Sequence, residues 1–437
     1  MKIFGTDGFR GPVGEPPITP EILTRIGAAV AREAAGDGPV LIGRDTRDSG
    51  EMIEAALIAG CQAAGAPVVR IGVAPTPAVS VATRARGARL GVAITASHNP
   101  YTDNGVKLFG SDGYKVSEAF QESVEAALDR GEPRAAGAGA VETLADGLAD
   151  YEAAFHAALP ADVSLAGLNV VVDAANGAAF DVGPRLLAGL GAEVTAIGVS
   201  PNGRNINLEC GSNHPQGLAA EVKRAGADVG VAFDGDADRV VLCDAQGGLI
   251  DGDQILGALA ADALDAGGLK GGAVAATVMS NLGLERYLDS KGAALIRTPV
   301  GDRHVVAAMR EGGYGLGGEQ SGHIVLGDVA TTGDGPLAAA MCLALVARTG
   351  RPAAECLRVF EPAPQALVNV RYGGGDPLGA ASVKAAIADA EAALGDAGRL
   401  VIRKSGTEPV IRVMVEALDG ALAERLAADL ADEVRRV

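Results

Sequence analysis

One order of elements recurs three times along the chain: a short apolar run, a helical stretch, a Gly-Ala pair and a second apolar run. Val40-Leu41-Ile42-Gly43-Arg44-Asp45 leads through a helical segment and Gly65-Ala66 to Val68-Val69-Arg70-Ile71-Gly72. Asn169-Val170-Val171-Val172-Asp173 leads through Leu186, Leu187 and Gly191-Ala192 to Val194-Thr195-Ala196-Ile197-Gly198, and a looser copy runs from Ala273-Val274-Ala275-Ala276-Thr277 through Gly292-Ala293 to Leu295-Ile296-Arg297. Apolar runs this short, bounded by glycine, read as buried strands, and strands alternating with helices read as parallel sheet with crossover helices. The pattern predicts three α/β units in series; a single large α/β sheet, which shows degenerate copies of the same kind, is the competing arrangement.

Length favours the first arrangement, because 437 residues exceed one compact core and correspond to about three or four domains. Composition places the boundaries. Residues 131–140 are rich in Gly, Ala and Pro, Leu249-Ile250-Asp251-Gly252-Asp253 ends a strand pair and opens a helix, and Glu361-Pro362-Ala363-Pro364 breaks the chain again. The expected units are 1–150, 151–250, 251–362 and 363–437. In the last we expect a strand at 366–371, a helix over 377–394, strands at 399–403 and 410–416, and a final helix over 420–436, enough for a small α+β domain. Near the start, Ile18-Thr19-Pro20-Glu21 opens a helix, Thr19 capping it and Pro20 suiting its first turn.

Charge narrows the ligands. There are 55 acidic and 37 basic residues, a formal net charge of -18, which argues against nucleic acid or a membrane surface as partner. An anionic ligand must therefore be held by local cations. Five cysteines, with no C-x-x-C pair, point to a reducing, cytoplasmic setting; no apolar signal core opens the chain, and no segment reaches the roughly 18 apolar residues of a membrane helix.

Four stretches have the composition of a reactive site. Gly91-Val92-Ala93-Ile94-Thr95 reads as a buried strand that stops at Ala96-Ser97-His98-Asn99-Pro100, presenting the Ser97 hydroxyl on a strand-end loop, where α/β proteins bind ligands. The same residues also suit a plain turn. Asp234-Gly235-Asp236-Ala237-Asp238-Arg239 joins two apolar runs and turns three carboxylates toward one point, a donor set for a hard cation such as Mg²⁺ or else three solvated turn aspartates. An EF-hand is excluded, since the loop's sixth residue is Arg239 rather than Gly and its twelfth is Ala245 rather than Glu.

Gly317-Gly318-Glu319-Gln320-Ser321-Gly322-His323 combines a carboxylate, a hydroxyl and an imidazole, suited to polyol recognition or to a generic turn. Arg403-Lys404-Ser405-Gly406-Thr407-Glu408-Pro409, followed by Arg412, reads as a phosphate cradle without the Walker spacing, or as a solvated basic turn. Smaller features accompany these. Arg10 lies in the glycine-punctuated loop Gly5–Gly11; Lys107 follows the serine loop; Asp302 and Arg303, after Val300-Gly301, are placed at the end of a strand of the third unit; and His98 is expected to orient Ser97 or shuttle its proton.

Taken in order, the serine, Asp234–Arg239, Gly318–His323 and Arg403–Pro409 stretches resemble the α-D-phosphohexomutase superfamily over nearly the whole chain. Phe4-Gly5-Thr6-Asp7-Gly8, Asn205-Ile206-Asn207-Leu208-Glu209-Cys210-Gly211 and Lys404-Ser405-Gly406-Thr407 place it nearest the bacterial branch that acts on glucosamine phosphates. Ala237 departs from the glycine common there; its methyl is tolerable unless the position requires positive φ. The resemblance implies three related α/β units and a C-terminal α+β domain like the TATA-binding-protein fold around a central cleft. It also implies a phosphorylated Ser97 and one Mg²⁺ bound by Ser97, Asp234, Asp236 and Asp238.

Within that resemblance Arg10, His98, Lys107 and Arg239 are expected to act on the transferring phosphoryl group, Lys107 as acid or base. Asp302, Arg303, Glu319, Ser321 and His323 would hold the sugar, and Arg403, Ser405, Gly406, Thr407 and Arg412 the phosphate at rest. The implied reaction interconverts glucosamine 6-phosphate and glucosamine 1-phosphate through a 1,6-bisphosphate, with glucosamine or glucose 1,6-bisphosphate as activator, in amino-sugar and cell-wall precursor synthesis. The expected partner is a small phosphosugar and the expected assembly a monomer or homodimer. Competing readings are the same chemistry on mannose or glucose phosphates, a Mg²⁺-dependent phosphatase, and a catalytically silent sugar-phosphate-binding protein.

Overall fold

The computed structural model describes residues 2–5, 7–130, 139–404 and 409–437. Its strands form four sheets, one after another along the chain. The first holds β1 (Phe9–Pro12), β2 (Val40–Arg44), β3 (Val68–Val73), β4 (Leu90–Ile94), β5 (Asp103–Gly110) and β6 (Val141–Thr143), in the order β1-β5-β4-β2-β3-β6. The second holds β7 (Asn169–Asp173), β8 (Glu193–Ile197), β9 (Val229–Phe233), β10 (Val240–Asp244) and β11 (Leu249–Ile250), in the order β11-β10-β9-β7-β8. The third, β13-β12-β14-β15, uses β12 (Ala273–Thr277), β13 (Ala294–Thr298), β14 (Leu316–Gly318) and β15 (Ile324–Leu326).

These three sheets share one plan. In each, the first strand of a parallel trio lies between the second and the third: β4-β2-β3, β9-β7-β8 and β14-β12-β13. The third member then turns back into an antiparallel neighbour, β5, β10 or β15. The serine, aspartate and glutamate stretches each occupy that return turn, so one topological position is used three times. A parallel strand buried on both faces is apolar throughout, and β4 and β9 are buried at every residue, which makes the turn the first place a polar side chain fits.

The fourth sheet is antiparallel, β16-β18-β17, from β16 (Gln365–Arg371), β17 (Gly398–Lys404) and β18 (Val410–Ala417), covered by the helices Ala381–Leu394 and Gly420–Arg436. The fold is thus four-domain α/β. One apolar core runs without a break from Val79 and Tyr151 through Phe233 to Leu256 and Leu337, so the first three sheets pack as a continuous body. The C-terminal sheet has its own core around Val370, Val413 and Leu430. Its link to the third unit is polar: Arg399 pairs with the buried Glu416 and donates to the carbonyls of Val278 and Ser280 at 2.7 and 2.5 Å.

Three local expectations are corrected. Phe9–Pro12, read as loop, is an edge strand paired with β5, Arg10 opposite Gly105. Asp302 does not end a strand: β13 stops at Thr298, and Asp302 opens the helix Asp302–Gly312 after Gly301 at φ 124. The expected helix over 377–394 is a 3₁₀ turn, Pro377–Gly379, separated from Ala381–Leu394 by an extended Ala380. Elsewhere the capping signals hold; Thr19 accepts from the Ile22 amide at the start of Pro20–Glu33. All five cysteines are free thiols, and no described helix is long and apolar enough to cross a membrane.

Candidate active site

The serine turn is shaped by its backbone. Beyond β4, the Thr95 hydroxyl accepts from the Ser97 amide at 2.9 Å, and Ser97 itself adopts φ 52, a left-handed conformation that L-residues rarely take. Such strain is retained where surrounding contacts over-determine it. It aims the buried Ser97 Oγ across to the second unit, where it donates to Asp234 Oδ2 at 2.7 Å; His98 Nδ1 lies 3.3 Å from the same hydroxyl. Burial, with Arg239 and Arg10 nearby, pushes the His98 pKa down to about 4, so this ring is neutral at physiological pH and orients rather than carries charge.

Asp234, Asp236 and Asp238 are all buried, and one oxygen from each lies within 4.8 Å of the other two. Burial and then the neighbouring Asp236 and Asp238 carboxylates raise the Asp234 pKa to about 8. Asp236 Oδ2 accepts from Thr76 Oγ1 at 2.5 Å. Lys107, on β5, brings its ammonium to 2.8 Å from Asp236 Oδ2, 2.6 Å from Asp238 Oδ2 and 3.2 Å from Asp7 Oδ2. Burial opposes that charge, yet Asp236, Asp238 and Asp7 together hold Lys107 well above the usual lysine range. Two oxygens, Asp236 Oδ1 and Asp238 Oδ1, are buried with no hydrogen-bond partner.

The third unit closes a ring of polar and charged groups. His323 Nδ1 is 3.7 Å from Asp238 Oδ1, and its Nε2 is 3.4 Å from Asp302 Oδ2 and accepts from the Gly333 amide at 3.0 Å. Asp302 pairs with Lys115, Lys115 with Asp7, and Asp7 with Lys107 and, at 2.7 Å, with Arg10. In the adjoining turn Glu319 Oε1 accepts from the Gly301 amide at 3.2 Å and Oε2 from Ser321 Oγ at 3.3 Å, while Gly322 O receives the Val240 amide at 3.0 Å. That last bond docks the glutamate turn directly onto the aspartate turn. Arg239, between the two, places Nε 4.0 Å from Asp238 Oδ1 and leaves it unbonded and buried.

Comparison with known proteins returns one answer over the whole chain. Residues 1–135, 149–248 and 251–363 match the phosphoglucomutase/phosphomannomutase alpha/beta/alpha domains I, II and III, and residues 367–433 match the C-terminal domain of the same family. A phosphoglucosamine mutase of Caulobacter vibrioides is 51% identical over 440 residues, covering 99% of this chain and 98% of that one. The chain belongs to the phosphoglucomutase/phosphomannomutase family. Another phosphoglucosamine mutase, from Sphingopyxis alaskensis, is 52% identical over 99% of both chains.

Among solved structures, a phosphoglucomutase/phosphomannomutase family protein of Burkholderia thailandensis aligns with TM-score 0.84 at 26% identity, over 99% of this chain and 97% of that one. Aspergillus fumigatus N-acetylphosphoglucosamine mutase, in complex with GlcNAc-6P and magnesium, shares the fold at TM-score 0.63 and 20% identity, over 100% and 96%.

Of the residues expected from sequence, Ser97, Asp234, Asp236, Asp238, Lys107, His323 and Asp302 meet in one buried cluster edged by the half-buried Arg10, His98 and Arg239, with Glu319 and Ser321 on the adjoining turn. Arg303 turns away, pairing with Glu118 at 3.2 Å. Arg403 and Arg412 face each other directly across β17 and β18; burial and then Arg412 lower the Arg403 pKa, and Arg403 Nε is buried without a partner. Among the described residues no hydrogen bond or ion pair joins these two arginines to the other three turns. Ser405, Gly406 and Thr407 lie outside the described residues. Sequence reasoning missed Arg47, Thr76 and Lys115, and took Asp7 and Asn207 only as part of the motifs that mark the branch. Arg47 had a signal, three residues past the end of β2; Lys115 had none, since its partner Asp302 is brought near only by the fold.

Proposed function

We propose that this chain interconverts glucosamine 6-phosphate and glucosamine 1-phosphate, with Ser97 as the phosphoryl carrier and a hexose 1,6-bisphosphate as intermediate and activator. The observation that carries the reading is the Ser97 hydroxyl seated 2.7 Å from a buried triad of carboxylates. The full-length identity to phosphoglucosamine mutases supplies the sugar. The triad fits a divalent metal: its donors are hard oxygens, all buried, and two of them are otherwise unbonded. Asp234, Asp236 and Asp238 would hold Mg²⁺, which when bound neutralises charge on the transferring phosphoryl group.

The side chains then have distinct tasks. Phosphorylated Ser97 gives its phosphoryl group to O1 of glucosamine 6-phosphate, the O1 hydroxyl proton ending on Oγ, and recovers one from O6 of the bisphosphate, the Oγ proton ending on O6. Lys107, Arg10 and Arg239 balance the charge that builds on the equatorial oxygens. Glu319 and Ser321 accept and donate to sugar hydroxyls, and the tight turn that holds them fixes their direction. The facing Arg403 and Arg412 repel one another until an anion lies between them, which suits the phosphate that is not reacting.

Two measurements test this. Turnover of glucosamine, glucose and mannose phosphates by purified protein should favour glucosamine at least about tenfold in kcat/KM; preference for either neutral hexose would move the chain to another branch, and inorganic phosphate released as fast as isomer would make it a phosphatase. Arg403→Ala should raise KM for the phosphosugar by about tenfold or more, the worth of a charge-assisted hydrogen bond, with a smaller change in kcat. An unchanged KM would remove Arg403 from the cradle.

A further inference from the structure

Six non-glycine residues among those described have left-handed φ: Ser97, Ala175, Asn176, Asn207, Glu209 and Ala237. They belong to one assembly. Asp173, at the end of β7, accepts from the Ala175 and Gly211 amides at 2.9 and 2.8 Å, and Ala175 O accepts from the Asn207 amide at 2.9 Å. The segment 205–211 is thereby fastened to the second sheet at both ends. Its Asn207 side chain reaches into the first unit, where Nδ2 donates to the carbonyls of Ser97 and Asn99 at 2.9 and 3.1 Å.

The same two carbonyls have a second donor. Arg47, fully buried, donates through Nη2 to Ser97 O at 3.0 Å and Asn99 O at 2.8 Å, and through Nη1 to Pro100 O and Asp103 O at 2.5 and 3.1 Å; Asp45 fixes its Nε at 2.9 Å. Gly235 completes the junction, because a Cβ there would lie 2.5 Å from Ser97 O and 2.8 Å from Asn207 Nδ2. The serine turn and the aspartate turn therefore meet at the Ser97 carbonyl, with the Asn207 amide wedged between them.

We propose that Asn207, together with Arg47, is a positioning residue for the nucleophile, fixing the Ser97 peptide in its strained conformation and so the direction of Oγ relative to Asp234. This rests on the reading of Ser97 as phosphoryl carrier. Phosphoryl transfer depends on in-line placement more than on covalent help from the protein, and a displacement of about 1 Å costs on the order of 100-fold. Asn207 touches no reacting atom; it acts through the peptide.

The test separates the amide from the fold. Asn207→Gly suits φ 57 and deletes only the side chain, while Asn207→Asp keeps the shape and sets an acceptor against two carbonyl oxygens. Asn207→Gly should melt within a few degrees of the parent and Asn207→Asp, which buries an unpaired acceptor, lower; both should keep KM within about twofold and lose about 10- to 100-fold in kcat and in single-turnover loss of phosphate from Ser97, read by intact mass after adding glucosamine 6-phosphate. If kcat stays within twofold of the parent in both, or falls only in step with melting temperature, Asn207 is structural and the proposal fails. A parent protein that never carries phosphate on Ser97 overturns the mutase reading itself.

Discussion

Ser97→Ala is expected to abolish isomerisation, by about 10⁴-fold or more, while leaving the fold in place. Among the described residues no neighbour replaces the hydroxyl: Thr76 Oγ1 is bonded to Asp236 and Ser321 Oγ to Glu319, His98 is 3.3 Å away, and Lys107 is committed to three carboxylates. Stability should change little. The deletion removes one hydrogen bond to Asp234, worth about 1–2 kcal/mol at most, and alanine is no more strained than serine at φ 52. The check is paired: isomerase turnover, and intact mass after incubation with a hexose 1,6-bisphosphate. Clear turnover by the variant would show that the phosphoryl group travels by another residue.

How much of this was legible beforehand depends on whether the information was local. Apolar runs with glycine at their ends located the strands of three units, because a doubly covered parallel strand has to be apolar along its length. The three return turns stood out as the polar interruptions. Phe9–Pro12 escaped, since an edge strand with glycine and arginine has no apolar alternation and exists only because β5 offers it a partner. Asp302 was misplaced because Val300-Gly301 prolongs the look of a strand, whereas Gly301 is the turn that starts a helix. The contacts of Lys115 with Asp302 and of Asn207 with Ser97 join different sheets, and no spacing encodes them. Ala237 shows a conditional expectation resolved: its φ is 56, so the methyl does carry strain of about 1–2 kcal/mol, offset in part by about 0.8 kcal/mol from its complete burial.

Lys107→Met should produce the largest loss of folding stability. Methionine fills the lysine stem but removes the charge, leaving Asp236 and Asp238 buried against each other without the ammonium at 2.8 and 2.6 Å; Asp7 still has Lys115 and Arg10. Breaking a buried pair from one side costs about 3–5 kcal/mol, more than the dehydration relieved by deleting the lysine. The pH dependence identifies the cause. Because the folded-state pKa of Lys107 is raised, its contribution is fully present below the unfolded lysine value of about 10.4 and fades only as pH rises through the higher folded value. The variant's deficit should therefore be full at pH 7–8, and should shrink in acid as the two orphaned carboxylates take up protons. Millimolar Mg²⁺ supplies the missing counter-charge and should raise the variant's melting temperature more than the parent's. Equal melting of parent and variant at pH 8 without Mg²⁺, or a deficit that persists unchanged in acid, would mean that Lys107 is not the charge that holds the aspartate turn together.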